Sequence, residues 1–394
     1  MDAPRRADMT TPPIDRIGLE AILEPGSSGR MLPREAYTSA DVLAWEREHL
    51  FARSWVCAGR SSLIPDAGAR VAVDLVGEPV LLVRGADDVA RGFFNVCRHR
   101  GHELMPCGAT ARRAAIHCPY HAWTYTLEGE LFRTPRFDPP DGFAMSDHAL
   151  GTVRVEEWQG WIFVNVSGDA MPLVDHLGAF ATTAGRYEPA RLVVGATHEY
   201  RSPTNWKLPI ENYHECYHCT AIHPELCMVS PPDSGDNLFE PGMWAGGTMV
   251  LEDHAETMSL DGRSGGVMLP GLSASELRDV IYIGLFPNML VSLHPDYVMT
   301  HRIEPISAQE TWVECQWLFD PEAVARPDFD ASYAVDFWDI TNRQDWAACE
   351  GVQRGLQSRG YAPGPFSKTE DAVCDWVQWI ARSYLAGEQV VLAR

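Results

Sequence analysis

Two short stretches of the chain carry metal-binding side chains at spacings that suit iron, and they suit different jobs. In the first, Cys97 and His99 are followed after residues 100–117 by Cys118 and His121. Cys-x-His and Cys-x2-His present two thiolates and two imidazoles on two opposed turns. Thiolates favour ferric iron, and neutral imidazoles on a second iron raise its potential, so a sulfide-bridged pair held this way accepts and passes on one electron. Structural zinc also takes two cysteines and two histidines. The zinc-finger order puts both cysteines first, whereas here each half carries one of each. Gly101, Gly108 and Pro119 suit tight turns around an inorganic core. Cys107, between the halves, reads as a buried neighbour and not a ligand.

The second stretch runs from Asn212 through Glu215 and His218 to His223. Ferrous iron that must meet oxygen needs few protein ligands and open positions, and two histidines plus one carboxylate on one face leave them. Positions five apart sit about 140° apart on an ideal helix. The helix read over Trp206–His223, with Pro224 as its stop, must therefore loosen or end between His218 and His223. The carboxylate has to come from elsewhere, with Asp345, Asp339 and Glu350 as candidates. His214, Cys216 and Cys219 read as packing or supporting groups, and Cys216-x2-Cys219 resembles a redox pair only out of context.

The elements that must position these groups are legible in outline. Ala40, Leu43, Leu50 and Phe51 share a helical stripe behind a possible Ser39 cap, with Trp45 off it. Arg70–Leu75, Pro79–Arg84, Ala90–Val96 and Thr152–Val164 read as strands of a small antiparallel β domain. Beyond Asp169, a helix is expected over Met171–Tyr187 and a strand over Leu192–Tyr200. Strands Val280–Leu285, Met289–Leu293, Tyr297–Pro305 and Thr311–Phe319 precede closing helices Tyr333–Arg359 and Asp371–Gly387. Gly262–Gly271 reads as a mobile loop near a pocket. The expected division is an N-terminal arm and helix (1–49) packing on the catalytic domain, a β domain (50–165) and the catalytic domain (166–394), with 1–35 partly disordered.

The 394 residues carry a formal charge of −22, which argues against nucleic acid or an anionic membrane as partner. Arg98, Arg100, Arg112, Arg113, Arg133 and Arg136 nevertheless crowd the first ligand set, either as salt-bridge partners or as a docking spot for an acidic electron donor. Met1–Thr11 shows no secretory leader and no apolar run is long enough to cross a bilayer. A cytoplasmic, reduced protein is expected.

The residues CRHRGHELMP…CPYHAWTYTLEGEL closely resemble the Rieske motif of the α subunits of ring-hydroxylating and related non-haem iron oxygenases. Asn212, Glu215, His218 and His223 match that family's Asn-x2-Asp/Glu-x2-His-x4-His segment, so the resemblance spans most of the chain. It implies an α+β architecture, a small all-β Rieske domain joined to a catalytic domain of helices on an antiparallel sheet. It implies one [2Fe–2S] cluster on Cys97, His99, Cys118 and His121, and one mononuclear Fe(II) on His218, His223 and Asp345. Asp345 is preferred because the family's ligand Asp precedes a Glu and a Gln, here Glu350 and Gln353.

The resemblance also implies electrons from NAD(P)H through a separate ferredoxin or flavin/iron–sulfur reductase. It implies a trimer in which one subunit's cluster lies beside the next subunit's iron. Asn212 and Glu215 become the catalytic candidates beside the metal. Glu215 stands where most of the family has Asp bridging the two centres, and Glu occurs there in the branch acting on choline and betaines. This favours a small quaternary-ammonium or N-methylated substrate, hydroxylated at a methyl group that then leaves as formaldehyde. A cation cage would draw on Tyr200, Tyr213, Trp244, Phe286, Tyr297, Trp317 or Trp338, with Tyr282–Leu293 as the pocket floor. The alternative, an aromatic acid, would want Arg201, Lys207, Arg278 or Arg302 in the pocket. An alternative of another class is an electron carrier with a degenerate catalytic half.

Overall fold

The computed structural model of the chain describes residues 11–24, 29–238 and 240–391. Two compact units emerge: Ala52–Ala170, and a second built from Met1–Phe51 with Met171–Arg394.

The Ala52–Ala170 unit is all β. Seven antiparallel strands run in the order Val56–Arg60, Trp161–Asn165, Thr152–Trp158, Ala90–Phe94, Glu78–Arg84, Ala69–Leu75, Thr110–Arg112. A three-stranded sheet, Ile116–His117, Thr124–Tyr125 and Leu131–Arg133, carries the second cysteine–histidine turn. The stretch Thr152–Val164, expected as one strand, is a hairpin. Gln159 (φ 48°) and Gly160 (φ 80°) form its two-residue turn, a left-handed pair that matches strand twist.

In the other unit an antiparallel seven-stranded sheet runs Val193–Ser202, Glu310–Phe319, Tyr297–Ser307, Met289–Leu293, Asp279–Leu285, Trp244–Val250, Asp236–Leu238. The strands expected from alternating Val, Ile and aromatic residues are present. The last two, which were not expected, are rich in glycine and Asp/Asn and give little periodic signal. The helices Ser332–Leu356 and Asp371–Ala386 belong to this unit, the latter ending on left-handed Gly387. Mixed helix and antiparallel sheet is thus the observed class.

Several expectations are corrected here. The helix over Met171–Tyr187 is two short ones, Leu173–Leu177 and Phe180–Gly185, broken at Gly178 (φ 51°). The arm expected to lie partly without structure contains a helix, Arg16–Ile22, whose Asp15 side chain caps the Ile17 and Gly18 amides; residues 1–10 and 25–28 lie outside the described set. Gly262–Gly271 lines no part of the cavity described below. Its Ser264 instead donates to buried Asp296 at 2.5 Å, as do Thr257 and Tyr333. Ser39 does cap a helix, Ala40–Glu46, but Trp45 is buried despite leaving the stripe. It stacks on His49 (4.6 Å) and meets the edge of Tyr384 (5.5 Å), so the final helix covers a second face.

A buried charge pair ties that helix to the catalytic sequence. Lys207 Nζ donates to Glu46 Oε1 at 2.6 Å, and both side chains are fully excluded from solvent. Trp206 Nε1 donates to Glu46 Oε2 at 2.9 Å, and Tyr384 also donates to this carboxylate. One turn on, Glu211 accepts from Tyr37 at 2.9 Å. Burial pushes the Glu211 carboxyl up to about 8 against the opposing effects of Tyr37 and Lys207. Replacing one partner of such a pair strands the other in a dry interior. Lys207→Met is expected to lower unfolding free energy by about 3–5 kcal/mol, read from denaturant unfolding. A loss below ~1 kcal/mol would mean the pair is no stronger than a surface one.

Candidate metal centres

In the β unit the two cysteine–histidine stretches fold into matching turns. The Gly101 amide bonds to the Cys97 carbonyl (3.0 Å), and the Ala122 amide to the Cys118 carbonyl (3.1 Å). Gly101 (φ 68°) and Ala122 (φ 58°) both take the left-handed conformation that reverses the chain. Cys97 and Cys118 are buried and unbridged. The His99 and His121 rings lie 4.7 Å apart, and Nδ1 of each is buried without a hydrogen-bond partner. Two orphaned imidazole nitrogens beside two thiols are what a two-iron cluster would satisfy, since a buried acceptor left unpaired is costly. Trp123 stacks on His99 at 4.7 Å, and Tyr125 Oη lies 3.2 Å from Cys97 Sγ, placed to donate to a ligand sulfur. Such a hydrogen bond raises a cluster's potential. Cys107 is exposed, contrary to expectation. Of the six arginines, Arg112 pairs with Asp66 at 2.8 Å; all six are exposed, and Arg100 sits over the Tyr120 ring at 5.6 Å.

In the other unit the helix read over Trp206–His223, expected to loosen or end between His218 and His223, breaks earlier. Lys207–Tyr213 ends, residues 214–218 turn, and a one-turn helix, Cys219–Ile222, follows with His218 before it and His223 after it. Pro224 does not stop a helix but starts one, Pro224–Val229, at the position where a missing amide hydrogen costs nothing. The break lets histidines five apart converge: their Nε2 atoms are 3.1 Å apart. Asp345, on the helix Ser332–Leu356, places Oδ1 2.9 Å from His223 Nε2 and 3.3 Å from His218 Nε2. Asp339 binds Tyr200 (2.6 Å) and Arg343 (2.7 Å), and Glu350 faces Arg354 (3.5 Å), so neither alternative carboxylate is at the site.

Each imidazole is oriented through its far nitrogen. Glu215 Oε1 lies 2.5 Å from His218 Nδ1, and its Oε2 accepts from the His218 amide at 3.1 Å. Gln344 Oε1 accepts a hydrogen bond from His223 Nδ1 at 2.7 Å, and its own amide donates to Glu225 (3.1 Å). With Nδ1 engaged in this way, the Nε2 atom of each ring is turned toward Asp345 Oδ1. Gln344 was missed by sequence reasoning; its only signal was adjacency to Asp345. Asn212 Nδ2 is 3.5 Å from both His218 nitrogens, too far for a strong bond, and the residue lies on the cavity wall. His214 bonds to the Ile210 carbonyl at 2.6 Å and stacks on Trp376. Cys216 and Cys219, expected as packing groups, are joined in a disulfide around the His218 turn.

Burial disfavours the charged form of His218, but the hydrogen bonds with Asp345 and Glu215 outweigh it and hold the imidazolium up to about 9. The same histidines hold Asp345 below its usual range despite burial. Two nitrogens and a carboxylate oxygen converging in this way fit a ferrous ion, which would take the place of the shared proton. A cavity of about 420 Å³ opens on them, walled by Tyr213, Tyr282 and Trp338, with Asp233, Asp236 and Asp371 toward the Asp236–Val250 hairpin and Lys368 as its one basic side chain. Ser292 and Tyr213 share a hydrogen bond (2.9 Å). Of the expected cage residues, Trp244, Phe286, Tyr297 and Trp317 are buried core and Tyr200 binds Asp339; none lines the cavity. The hairpin wall was missed, for its glycines and short polar residues read as loop.

Residues 54–155 match the Rieske [2Fe-2S] domain, and residues 189–386 the catalytic domain of the ring hydroxylating alpha subunit. The glycine betaine monooxygenase oxygenase subunit of Pseudomonas aeruginosa strain UCBPP-PA14 is 30% identical over 383 residues, spanning 90% of this chain and 89% of the relative. The carnitine monooxygenase oxygenase subunit of Escherichia coli strain K12 is 30% identical over 336 residues, 84% of this chain and 85% of the relative. Among solved structures, the quaternary ammonium Rieske monooxygenase CntA in complex with an inhibitor aligns at a TM-score of 0.80 and 25% identity, covering 94% of this chain and 99% of that one. Naphthalene 1,2-dioxygenase from Rhodococcus sp. shares the fold at a TM-score of 0.75 and 18% identity, over 94% of this chain and 97% of that one.

The raised His218 imidazolium has a consequence for metal loading. A ferrous ion held by His218 would displace its proton, so apparent affinity should climb about tenfold per pH unit from 7 toward 9 and flatten above. Calorimetry at pH 7 in buffers of different ionisation enthalpy should report close to one proton released per iron. A buffer-independent heat would contradict this.

Proposed function

The chain belongs to the ring-hydroxylating alpha-subunit family of Rieske non-haem iron oxygenases, and on that footing we propose that it is a terminal oxygenase that hydroxylates a small quaternary-ammonium or N-methylated compound at a methyl group. The observation that carries the substrate class is the cavity wall. Tyr213, Tyr282 and Trp338 line it without an arginine, and faces of aromatic rings stabilise a cation that carries no hydrogen-bond donor. The four cations weighed for an aromatic acid are engaged elsewhere, and Lys368, the lysine on the cavity lining, is exposed. Arg201 pairs with Glu310, Lys207 with Glu46, Arg278 with the carbonyls of Ala255 and Leu251, and Arg302 with Glu304 and Glu314. The curated relatives named above act on glycine betaine and carnitine, which agrees.

The family's domains bind a [2Fe–2S] cluster and a mononuclear iron. We assign the first to Cys97, His99, Cys118 and His121 and the second to His218, His223 and Asp345. When bound, the two centres store electrons singly and activate oxygen beside the substrate. The chain's own residues do the rest. Glu215 and Gln344 hold the Nδ1 protons of the iron histidines, and Asp345 stays ionised between them. The aromatic wall orients the N-methyl group and excludes water, and Asn212 flanks the His218 ring. Hydroxylation of an N-methyl carbon leaves a hemiaminal, which releases formaldehyde and the demethylated amine. We place the enzyme in the cytoplasm as a homotrimer fed by a ferredoxin or flavin/iron–sulfur reductase drawing on NAD(P)H, with Glu215 relaying electrons between subunits. The exposed arginines around the cluster turns would suit an acidic donor. No helix of the described residues is long and apolar enough to cross a membrane.

Three measurements test this. Betaines, choline, carnitine, N-methyl amino acids and benzoates, offered with reductase and NADH, should yield substrate-dependent formaldehyde from the methylated amines; turnover confined to benzoates would refute the substrate class. Asp345→Ala should keep the cluster's low-average-g electron paramagnetic resonance signal while the iron count falls from three to two per chain and turnover disappears. Two irons in the parent protein would instead indicate an electron carrier. Glu215→Gln should retain both centres and the oligomer yet slow cluster oxidation in a single turnover by at least about tenfold, a barrier change of ~1.4 kcal/mol. An unchanged rate removes Glu215 from the path.

A further inference from the structure

Cys216 and Cys219 bracket Tyr217 and His218, and both reach the cavity wall. Their bridge has a chemical consequence for the neighbouring donors. Sγ of Cys219 lies 4.0 Å from His218 Nε2, and the ligand atoms of His218, Cys219 and His223 all fall within 4.8 Å of one another. Donors around a tetrahedral zinc ion stand roughly 3.3–3.6 Å apart, given bond lengths of about 2.0 Å to nitrogen and 2.3 Å to sulfur. Bringing this sulfur into that range needs a contraction of about half an ångström toward His218 and up to about an ångström and a half toward His223. Only the thiolate is a strong ligand, and within a disulfide Cys219 has no thiolate to offer.

We propose that Cys216 and Cys219 are a dithiol–disulfide pair that sets which metal this site accepts. Closed, the turn presents two imidazoles and a carboxylate without sulfur, a set suited to ferrous iron. Opened, Cys219 joins His218 and His223, with Asp345 as the fourth donor, in a set suited to zinc. The proposal rests on the assignment of His218, His223 and Asp345 to iron and adds a sulfur donor that this assignment does not contain.

The position also supplies an oxidant by class. Iron held here would reduce oxygen, and where no substrate is hydroxylated the product would be hydrogen peroxide, formed beside these sulfurs. One thiolate attacks a peroxide oxygen, breaking the O–O bond and giving a sulfenic acid and water. The other thiol sulfur attacks that sulfenic sulfur and expels a second water. Two electrons pass from the sulfurs to peroxide, and both thiol protons end on water. Thiol–disulfide exchange with a dithiol reverses the step.

The test uses full-length protein that retains its cluster after the third iron is removed by a chelator. One portion is treated with peroxide and one with a phosphine reductant. Alkylation and mass measurement confirm that only the first holds the bridge. Each is then offered equimolar ferrous iron and zinc without oxygen, desalted and counted. The zinc-to-iron ratio is expected to rise at least tenfold in the reduced portion. Zinc-edge X-ray absorption there should show one sulfur in the metal's shell.

Cys216→Ser leaves Cys219 without a bridging partner and, in protein kept reduced and never exposed to peroxide, should favour zinc as the reduced parent does. Cys219→Ser should lose both the sulfur and the redox dependence, so either variant suffices if the other does not fold. A zinc shell without sulfur overturns the proposal, as do equal ratios in the two portions or a bridge that peroxide never forms. Failure of the iron assignment looks different: neither portion would take up a third metal at this turn.

Discussion

A lysine and a glutamate with no access to water hold the start of the helix that leads to the His218 turn. Lys207 and Glu46 are fully buried, and each satisfies the other together with indole and phenol donors from Trp206 and Tyr384. A buried charge without such company is prohibitively costly, so the helices that contribute these groups cannot shift independently. The pair therefore fixes the start of Lys207–Tyr213 relative to helix Ala40–Glu46 and the final helix. Asn212 and the turn that follows inherit that position.

From there the local geometry is governed by where the helix stops. An unbroken helix would point His218 and His223 to different sides. The turn at 214–218 and the single helical turn beyond it bring their Nε2 atoms to 3.1 Å. Convergence alone would repel two protonated imidazoles. The carboxylates of Glu215 and Asp345 and the amide of Gln344 settle which nitrogen carries the proton and which faces the centre. The same arrangement that raises the His218 imidazolium also prepares the site to exchange a proton for a metal ion.

The β unit solves a related problem with less electrostatics. Two five-residue turns, each closed by an amide-to-carbonyl bond and a left-handed residue, put one thiol and one imidazole apiece inside a rim of Trp123, Tyr125 and Phe137. The unpartnered Nδ1 atoms of His99 and His121 fit a bound group that would accept their lone pairs. Low solvent access and a phenol beside Cys97 are levers on a cluster's potential.

The sequence by itself determined the ligand types, their order and their spacing, because metal chemistry restricts which side chains occur at which intervals. It also determined the long sheet strands and closing helices, whose apolar periodicity is strong. It left the carboxylate open among Asp345, Asp339 and Glu350, since all three lie on one helix and only packing decides which face meets His218 and His223. It misplaced the break in the 206–223 helix, because Pro224 ends one helix or begins another with equal ease. It gave no warning of Gln344, of the Asp236–Val250 hairpin wall, or of which aromatics face the cavity. Tyr282 and Trp338 are indistinguishable in a sequence from Trp244 or Trp317, which are core. What separates them is distance across the fold, and contacts between residues far apart in the chain carry no local signature.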